Sequence, residues 1–184
     1  MKYLLVTFVL LTTACTKITT IPQTVVINEI AWMGTSESSS NEWIELRNNT
    51  DVELDLADWT LKNISGDFSI TLESTIEPYG FLLLERTDDS SVPEVNADQI
   101  YTGSLGNDGE SLVLVDAVNK IIDTVDQWHA GDNDTNATME RIESEDIGTV
   151  TESWASATYE YSVGLGTPGA INSSYGENDV SDTN

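Results

Sequence analysis

Phe68-Ser69-Ile70-Thr71-Leu72 decides the fold class. Apolar and small polar residues alternate here, the two-residue period of a strand with one face buried and one in water. A helix would need apolar residues three and four apart, and no stretch of the chain keeps that period over three turns. Working outward, the flanking segments repeat the theme with turn residues between them. Thr24 to Met33 is rich in Val and Ile, and Gly34 with a Ser-rich stretch to Ser40 closes it. Glu42 to Arg47 follows, ended by Asn48-Asn49-Thr50-Asp51, and Trp59 to Lys62 precedes the alternating segment. Phe81 to Leu84 and Leu112 to Val115 are continuous apolar runs, which suit strands covered on both faces. Ala117-Val118-Asn119-Lys120 is placed to close a hairpin onto Ile121 to Val125. The pattern predicts an all-β sandwich of about seven to nine strands.

Composition bounds the function. The chain has 184 residues, the length of one domain of ordinary size. It carries 32 Asp and Glu against 7 Lys and Arg, a net charge of -25. Affinity for phosphate backbones comes chiefly from Lys and Arg, so nucleic acid is excluded as a direct partner. Adhesion to anionic lipid through a basic patch is excluded for the same reason. The 39% hydrophobic content is enough for a core. One His and one Cys rule out His- or thiolate-rich metal sites and any intrachain disulfide.

The first residues read as an address. Met1-Lys2, an apolar run from Tyr3 to Leu11, and Thr12-Thr13-Ala14 have the layout of a secretory signal peptide over residues 1–14. The run is far short of the roughly 20 residues of a membrane-spanning helix. Cys15 directly after Ala14 resembles a bacterial lipobox, with Thr12 in place of the usual Leu, and such a Cys becomes the lipidated N-terminus. The expected layout is a lipidated Cys15 and tether over 15–23, a β-domain over 24–172 and a disordered acidic tail over 173–184. The expected location is the outer face of a bacterial membrane, reached by export and held through the lipid anchor alone.

Several stretches in order carry a family resemblance. They are Val26-Ile27-Asn28-Glu29-Ile30-Ala31, then Asn41-Glu42-Trp43-Ile44-Glu45-Leu46-Arg47-Asn48, then Asp55-Leu56-Ala57-Asp58-Trp59-Thr60-Leu61. Ile76-Glu77-Pro78-Tyr79-Gly80-Phe81, Leu105-Gly106-Asn107-Asp108-Gly109-Glu110 and Met139-Glu140-Arg141 follow, and Gly166-Thr167-Pro168-Gly169-Ala170-Ile171-Asn172 closes the set. Together they resemble the lamin tail domain, over roughly residues 24–172. The resemblance implies an immunoglobulin-like antiparallel β-sandwich, found also in exported bacterial proteins, that serves as an accessory domain. It supplies no catalytic residue. Within that frame Trp59 is expected to fill the space between the sheets. Ile44 and Leu46 should point inward, with Glu45 facing out. Gly164, Gly166 and Gly169 around Pro168 suit a tight turn that stops ladder pairing.

Four groups of residues could carry chemistry. His129, beside a turn in Trp128-His129-Ala130-Gly131, is expected to be a satisfied or exposed loop histidine, since no Gly-x-Ser-x-Gly elbow accompanies it. Glu29, Glu42 and Glu45 could hold a cation or move protons, but residues 42 and 45 point to opposite faces of a strand. Arg47 and Arg141 are each expected to pair with a carboxylate. Asp132, Asp134, Asn136, Thr138, Glu140 and Glu143 have the spacing of a calcium-binding loop, with Ala137 where its sharp turn wants Gly. The reading that follows is a non-enzymatic surface lipoprotein whose module binds a protein or glycan ligand. A metal-dependent hydrolase of phosphate esters and a calcium-stabilised structural envelope protein are the alternatives.

Overall fold

The computed structural model describes residues 23–176. The signal segment, Cys15, most of the tether and residues 177–184 lie outside the described residues. Fourteen strands follow in chain order: β1 (Val25–Ala31), β2 (Trp43–Asn48), β3 (Leu54–Asp55), β4 (Thr60–Asn63), β5 (Ser69–Thr71), β6 (Thr75–Ile76) and β7 (Phe81–Arg86). After them come β8 (Gln99–Tyr101), β9 (Leu112–Val115), β10 (Ile121–Val125), β11 (Met139–Arg141), β12 (Trp154–Ser156), β13 (Glu160–Tyr161) and β14 (Gly164–Leu165). A 3₁₀ turn over Thr151–Ser153 leads into β12. One sheet has six strands in the order β12-β11-β1-β2-β7-β8, and a second has four in the order β10-β9-β4-β5. All pairs in both are antiparallel except β7 with β8. The β3–β6 and β13–β14 pairs form two small ribbons.

The fold is the expected immunoglobulin-like β-sandwich, with a few more strands in its two main sheets than the turn spacing implies. Ile27, Ile30, Ile44 and Leu46 of the larger sheet meet Leu61, Ile70, Leu112, Leu114 and Val125 of the smaller one in a single core. Apolar area of this kind removed from water is worth about 25 cal/mol per Å². Phe68, Ile70 and Leu72 are buried while Ser69 and Thr71 are exposed, as alternation requires. The β9–β10 hairpin turns through Asn119, whose φ of 64° is one that Asn tolerates.

Every residue of β1 is buried, because the strand is covered on both faces. One face meets the core, and residues 157–176 fold over the other. This strap is stitched to the strand ends by Ala157 N–H donating to Thr138 O (3.0 Å) and Thr138 N–H donating to Leu165 O (2.9 Å). It corrects two expectations. Gly164 does not stop pairing but pairs with Tyr161 in the β13–β14 ribbon. Ser173, Ser174 and Gly176, expected in the disordered tail, are bonded to Glu140 and Glu143.

Trp59 is not the core tryptophan. It is half-buried at the margin of the core, after Asp58 with φ 65°. The fully buried indole is Trp43, on the opposite face of the six-stranded sheet. There it packs with Ala31, Leu83 and Val92, and its ring meets Tyr161 edge-on at 6.3 Å. Full truncation of a buried Trp costs about 3–5 kcal/mol. Because Trp59 keeps part of its surface in water, Trp59→Ala should cost less, about 2 kcal/mol. Urea denaturation checks this, and a loss of the full amount would return Trp59 to the core.

Candidate functional site

Three glutamates stand side by side beneath the strap. Glu29 on β1 pairs in register with Glu140 on β11 and with Glu45 on β2, and all three are fully buried. Their alignment depends on a bulge between Ile27 and Glu29 in the β1–β2 ladder. A bulge sets two residues against one, so Ile27 and Ile30 both enter the core while Asn28 and Glu29 both bond to the strap. Simple alternation could not have placed Glu29 there.

Each carboxylate is held by donors. Thr138 Oγ1 and the Thr167 N–H donate to one Glu29 oxygen, and Thr167 Oγ1 lies 2.9 Å from the other. Glu140 accepts from Ser173 N–H and hydroxyl and from Ser174 N–H. Glu45 accepts from Asn28 Nδ2 (2.9 Å) and Gly169 N–H. A Cβ at Gly166 would sit 2.8 Å from Glu29 Oε1, so only glycine lets the strap come this close. Burial first, and then the charge of Glu140, pushes the Glu29 pKa up to about 8. Burial, then the charge of Glu29, holds Glu45 well above the ordinary carboxylate range. Such groups could exchange protons near neutrality, but no substrate reaches them. They fasten the strap. Glu45 does face away from the core as expected, yet it is covered rather than solvated.

The remaining candidates separate. Glu42 points the other way, toward Arg86 Nη1 (3.0 Å) and the Leu105 N–H (2.7 Å). Arg141 pairs with Asp123 as expected, with both side chains wholly buried. It also donates to the carbonyls of Ile27 and Asp146 and lies 4.7 Å from the Trp154 ring. Arg47 departs from expectation. It stacks 5.6 Å from the rings of both Phe81 and Tyr175, because its cross-strand neighbour is aromatic.

The calcium-loop donors are not gathered round one point. Asp132 to Ala137 is a tight turn closed by two reciprocal backbone hydrogen bonds of 2.8 and 3.0 Å. Asp132 and Asp134 are exposed on it, with Asp132 Oδ1 accepting from the Asp134 N–H, and Asn136 takes the left-handed conformation. The Thr138 carbonyl is taken by Ala157, Glu140 is buried under the strap, and Glu143 accepts from the Gly176 N–H. The loop spacing is interrupted because β11 begins at Met139, so the chain extends where a calcium loop would curl. Among the described residues no group of three or more His, Cys, Asp or Glu is placed to hold a metal ion.

His129 is satisfied rather than exposed. Its Nε2 lies 2.8 Å from Asp126 Oδ1 and its Nδ1 3.1 Å from Thr151 Oγ1. With Nε2 carrying the proton, the ring donates to Asp126 and accepts from Thr151. The imidazole is thereby fixed in the wall of a cleft at one end of the sandwich.

That cleft, of about 290 Å³, opens between the 106–109 turn and the 126–131 loop. Trp32 and Trp128 line it together with Asn107, Asp108, Gln127 and His129. The indole N–H of Trp128 donates to Gly106 O (2.6 Å), and that of Trp32 to Ala130 O (3.1 Å). Gly131 has φ 92°, and a Cβ there would be 2.5 Å from Trp32 Nε1, so the loop closes over the ring only with glycine. Sequence reading singled out His129 but not this cleft. Its signal was the recurrence of Trp and turn glycines in two segments distant along the chain.

The family model described as Lamin Tail Domain matches residues 19–129. No curated protein matches the sequence. The match ends before β11 and β12, although both strands belong to the six-stranded sheet.

Proposed function

The chain belongs to the lamin tail domain family, and from that premise we propose that it is a non-enzymatic binding module displayed on a cell surface by a lipid on Cys15. The observation that carries the binding role is the cleft lined by Trp32 and Trp128. Its lining sets the edges of the two indoles beside Asn107, Asp108, Gln127 and His129, polar groups able to orient a ligand in a concave site. The ligand is a protein or glycan of the envelope. The surface address rests on the lipobox-like Ala14-Cys15 and the signal-like residues before it.

Two measurements test this. Cys15→Ala should abolish lipid mass on the N-terminal peptide and leave the chain uncleaved at this position or released into the medium. Several acyl chains hold a protein firmly where one chain alone is marginal. A wild-type chain that partitions into the aqueous phase of a detergent extraction sinks the anchoring. For the binding role, purified chain should sediment with envelopes from its own cells, and Trp128→Ala should reduce the bound fraction.

A hydrolase is the second reading, and the Asp126–His129–Thr151 alignment favours it, since an imidazole between a carboxylate and a hydroxyl resembles the layout that activates nucleophiles. A screen of ester and phosphate-ester substrates with and without divalent metals decides. Turnover abolished by His129→Ala would replace the binding role.

A further inference from the structure

The strap closes one side of the molecule, over β1, and leaves the outer face of the four-stranded sheet on the other side. Leu61 pairs with Ile70 and Leu114 toward the core, so Thr60 and Lys62 turn outward together with their partners across the ladders. The outward residues paired along this face are Thr, Ser, Val, Ile and Lys62, with no carboxylate among them. In a chain with 32 acids that composition sets the face apart. A groove of about 420 Å³ runs along it from Asn119 to Ile64, past Val113 and Val115. Around the groove Val118, Ile64 and Ile121 leave 81%, 71% and 63% of their surface in water. Apolar side chains gathered in this way mark an interaction surface. Positive charge collects here too. Arg86 and Arg141 are paired and Arg47 is stacked on two rings. Lys62 in the groove wall and Lys120 beside Ile121 have no ion pair among the described residues. Asp67 and Asp116 stand in turns at the ends of the face, and the Asp116 carboxylate accepts from the Val118 and Lys120 N–H groups.

The chain also enters the domain beside this face. Gln23 Nε2 donates to Asp123 Oδ1 (3.0 Å) on β10, the strand that carries Ile121. Cys15 stands eight residues before Gln23, a span of about 28 Å at full extension, and Lys17 lies between them. We propose that this face lies against the membrane that holds the lipid, with Ile64, Val118 and Ile121 in the headgroup region and Lys62 and Lys120 on lipid phosphates. The orientation rests on the lipid anchor assigned to Cys15. Net charge forbids capture of the free domain by anionic lipid, but an anchored domain chooses only which side it turns. Repulsion of the acidic remainder turns the acid-free side inward, and so short a link makes a weak contact sufficient. A second copy on the same face would bring two strongly negative molecules together, which a lipid surface does not. The cleft lies at the other end of β9 and β10 from the hairpin turn and stays open to the side.

Nitroxide labels on Ile64→Cys, Val118→Cys and, on the strap, Tyr159→Cys test this. The lipid-bearing full chain is extracted from its cells and reconstituted in vesicles of phosphatidylethanolamine and phosphatidylglycerol. The lipid occupies the Cys15 sulfur, so each label takes a single site. All three positions are exposed, so the variants keep the fold, and circular dichroism checks it. The labels at positions 64 and 118 should collide severalfold less with an aqueous nickel chelate, and more with dissolved oxygen, than the label at 159. Lys62→Glu with Lys120→Glu should return the label at 118 to the accessibility of that at 159 while the protein stays on the vesicles. Equal accessibility at all three sites, with lipid mass found on Cys15, overturns the orientation and leaves the anchor standing. An N-terminal peptide without lipid removes both. Protection accompanied by dipolar broadening between labels marks a second copy and overturns the proposal. Protection in native envelopes but not in vesicles marks a protein partner and overturns it as well.

Discussion

Arg141→Ala should lower the unfolding free energy by about 3–5 kcal/mol, the range for breaking a buried ion pair from one side. The guanidinium is wholly buried and reaches Asp123 on β10, the Ile27 carbonyl on β1 and the Asp146 carbonyl, with Trp154 against its face. Removing it strands the Asp123 carboxylate, which also accepts from the Ile27 N–H (2.8 Å) and Gln23 Nε2 (3.0 Å). Arg141→Lys should recover only part of the loss, since an ammonium cannot span those acceptors with a planar fork. Guanidinium denaturation reads the effect as a lower midpoint at unchanged slope. A shift worth less than about 1 kcal/mol would put the pair among weak surface bridges and remove its role in joining the two sheets.

Stability should fall as pH rises from about 5 to 8, the reverse of the usual behaviour of a carboxylate-rich protein below neutrality. Glu29 titrates near 4.5 when unfolded and near 8 when folded, chiefly because it is buried and beside Glu140. Between those values the folded state holds a proton that the unfolded state has released. The stabilisation is complete below the unfolded value and declines by about 1.4 kcal/mol per pH unit for each such proton. The decline ends above the folded value. Glu45, raised by burial and by Glu29, adds in the same direction. The whole window is worth on the order of 3–5 kcal/mol. Glu29→Gln keeps an acceptor for Thr138 and Thr167 without the titration, so its melting temperature should vary much less between pH 5 and 8. A wild-type melting temperature that climbs across this range, or a variant with the wild-type slope, would show that the folded state holds no proton on Glu29.

The strands were readable because each reports its own burial. The alternation from Phe68 to Leu72 follows from the period of two alone, while Ile44 and Leu46 inward with Glu45 opposite needed the family resemblance to choose between the two faces. The covering of β1 was not readable, since it depends on residues more than 130 positions away. The bulge at Asn28 breaks the period by one residue, and nothing in Val26 to Ala31 announces it. Arg47 shows a further limit. A scarce cation in an acidic chain suggests a carboxylate partner, but register placed Phe81 across from it. The apparent calcium loop failed for a related reason, because spacing along a sequence becomes a coordination shell only if the backbone curls, and Met139 starts a strand instead. The cleft was hidden because it joins two turns that no local pattern connects.

The clasp on β1 has a consequence for how the molecule comes into being. A polypeptide leaves the ribosome amino end first, so Asn28 and Glu29 are made long before the residues that cover them. Their partners Thr167 and Asn172 emerge 138 and 144 positions later. Until then β1 has no lid, and its polar outer row has no reason to dry out. Contacts this distant along the chain slow the search for the native state. The sandwich therefore cannot close over β1 until residues 167–172 have emerged. Losing a dozen residues from the carboxyl end of the sandwich would not shorten a tail; it would leave the first strand waiting for a partner that never arrives.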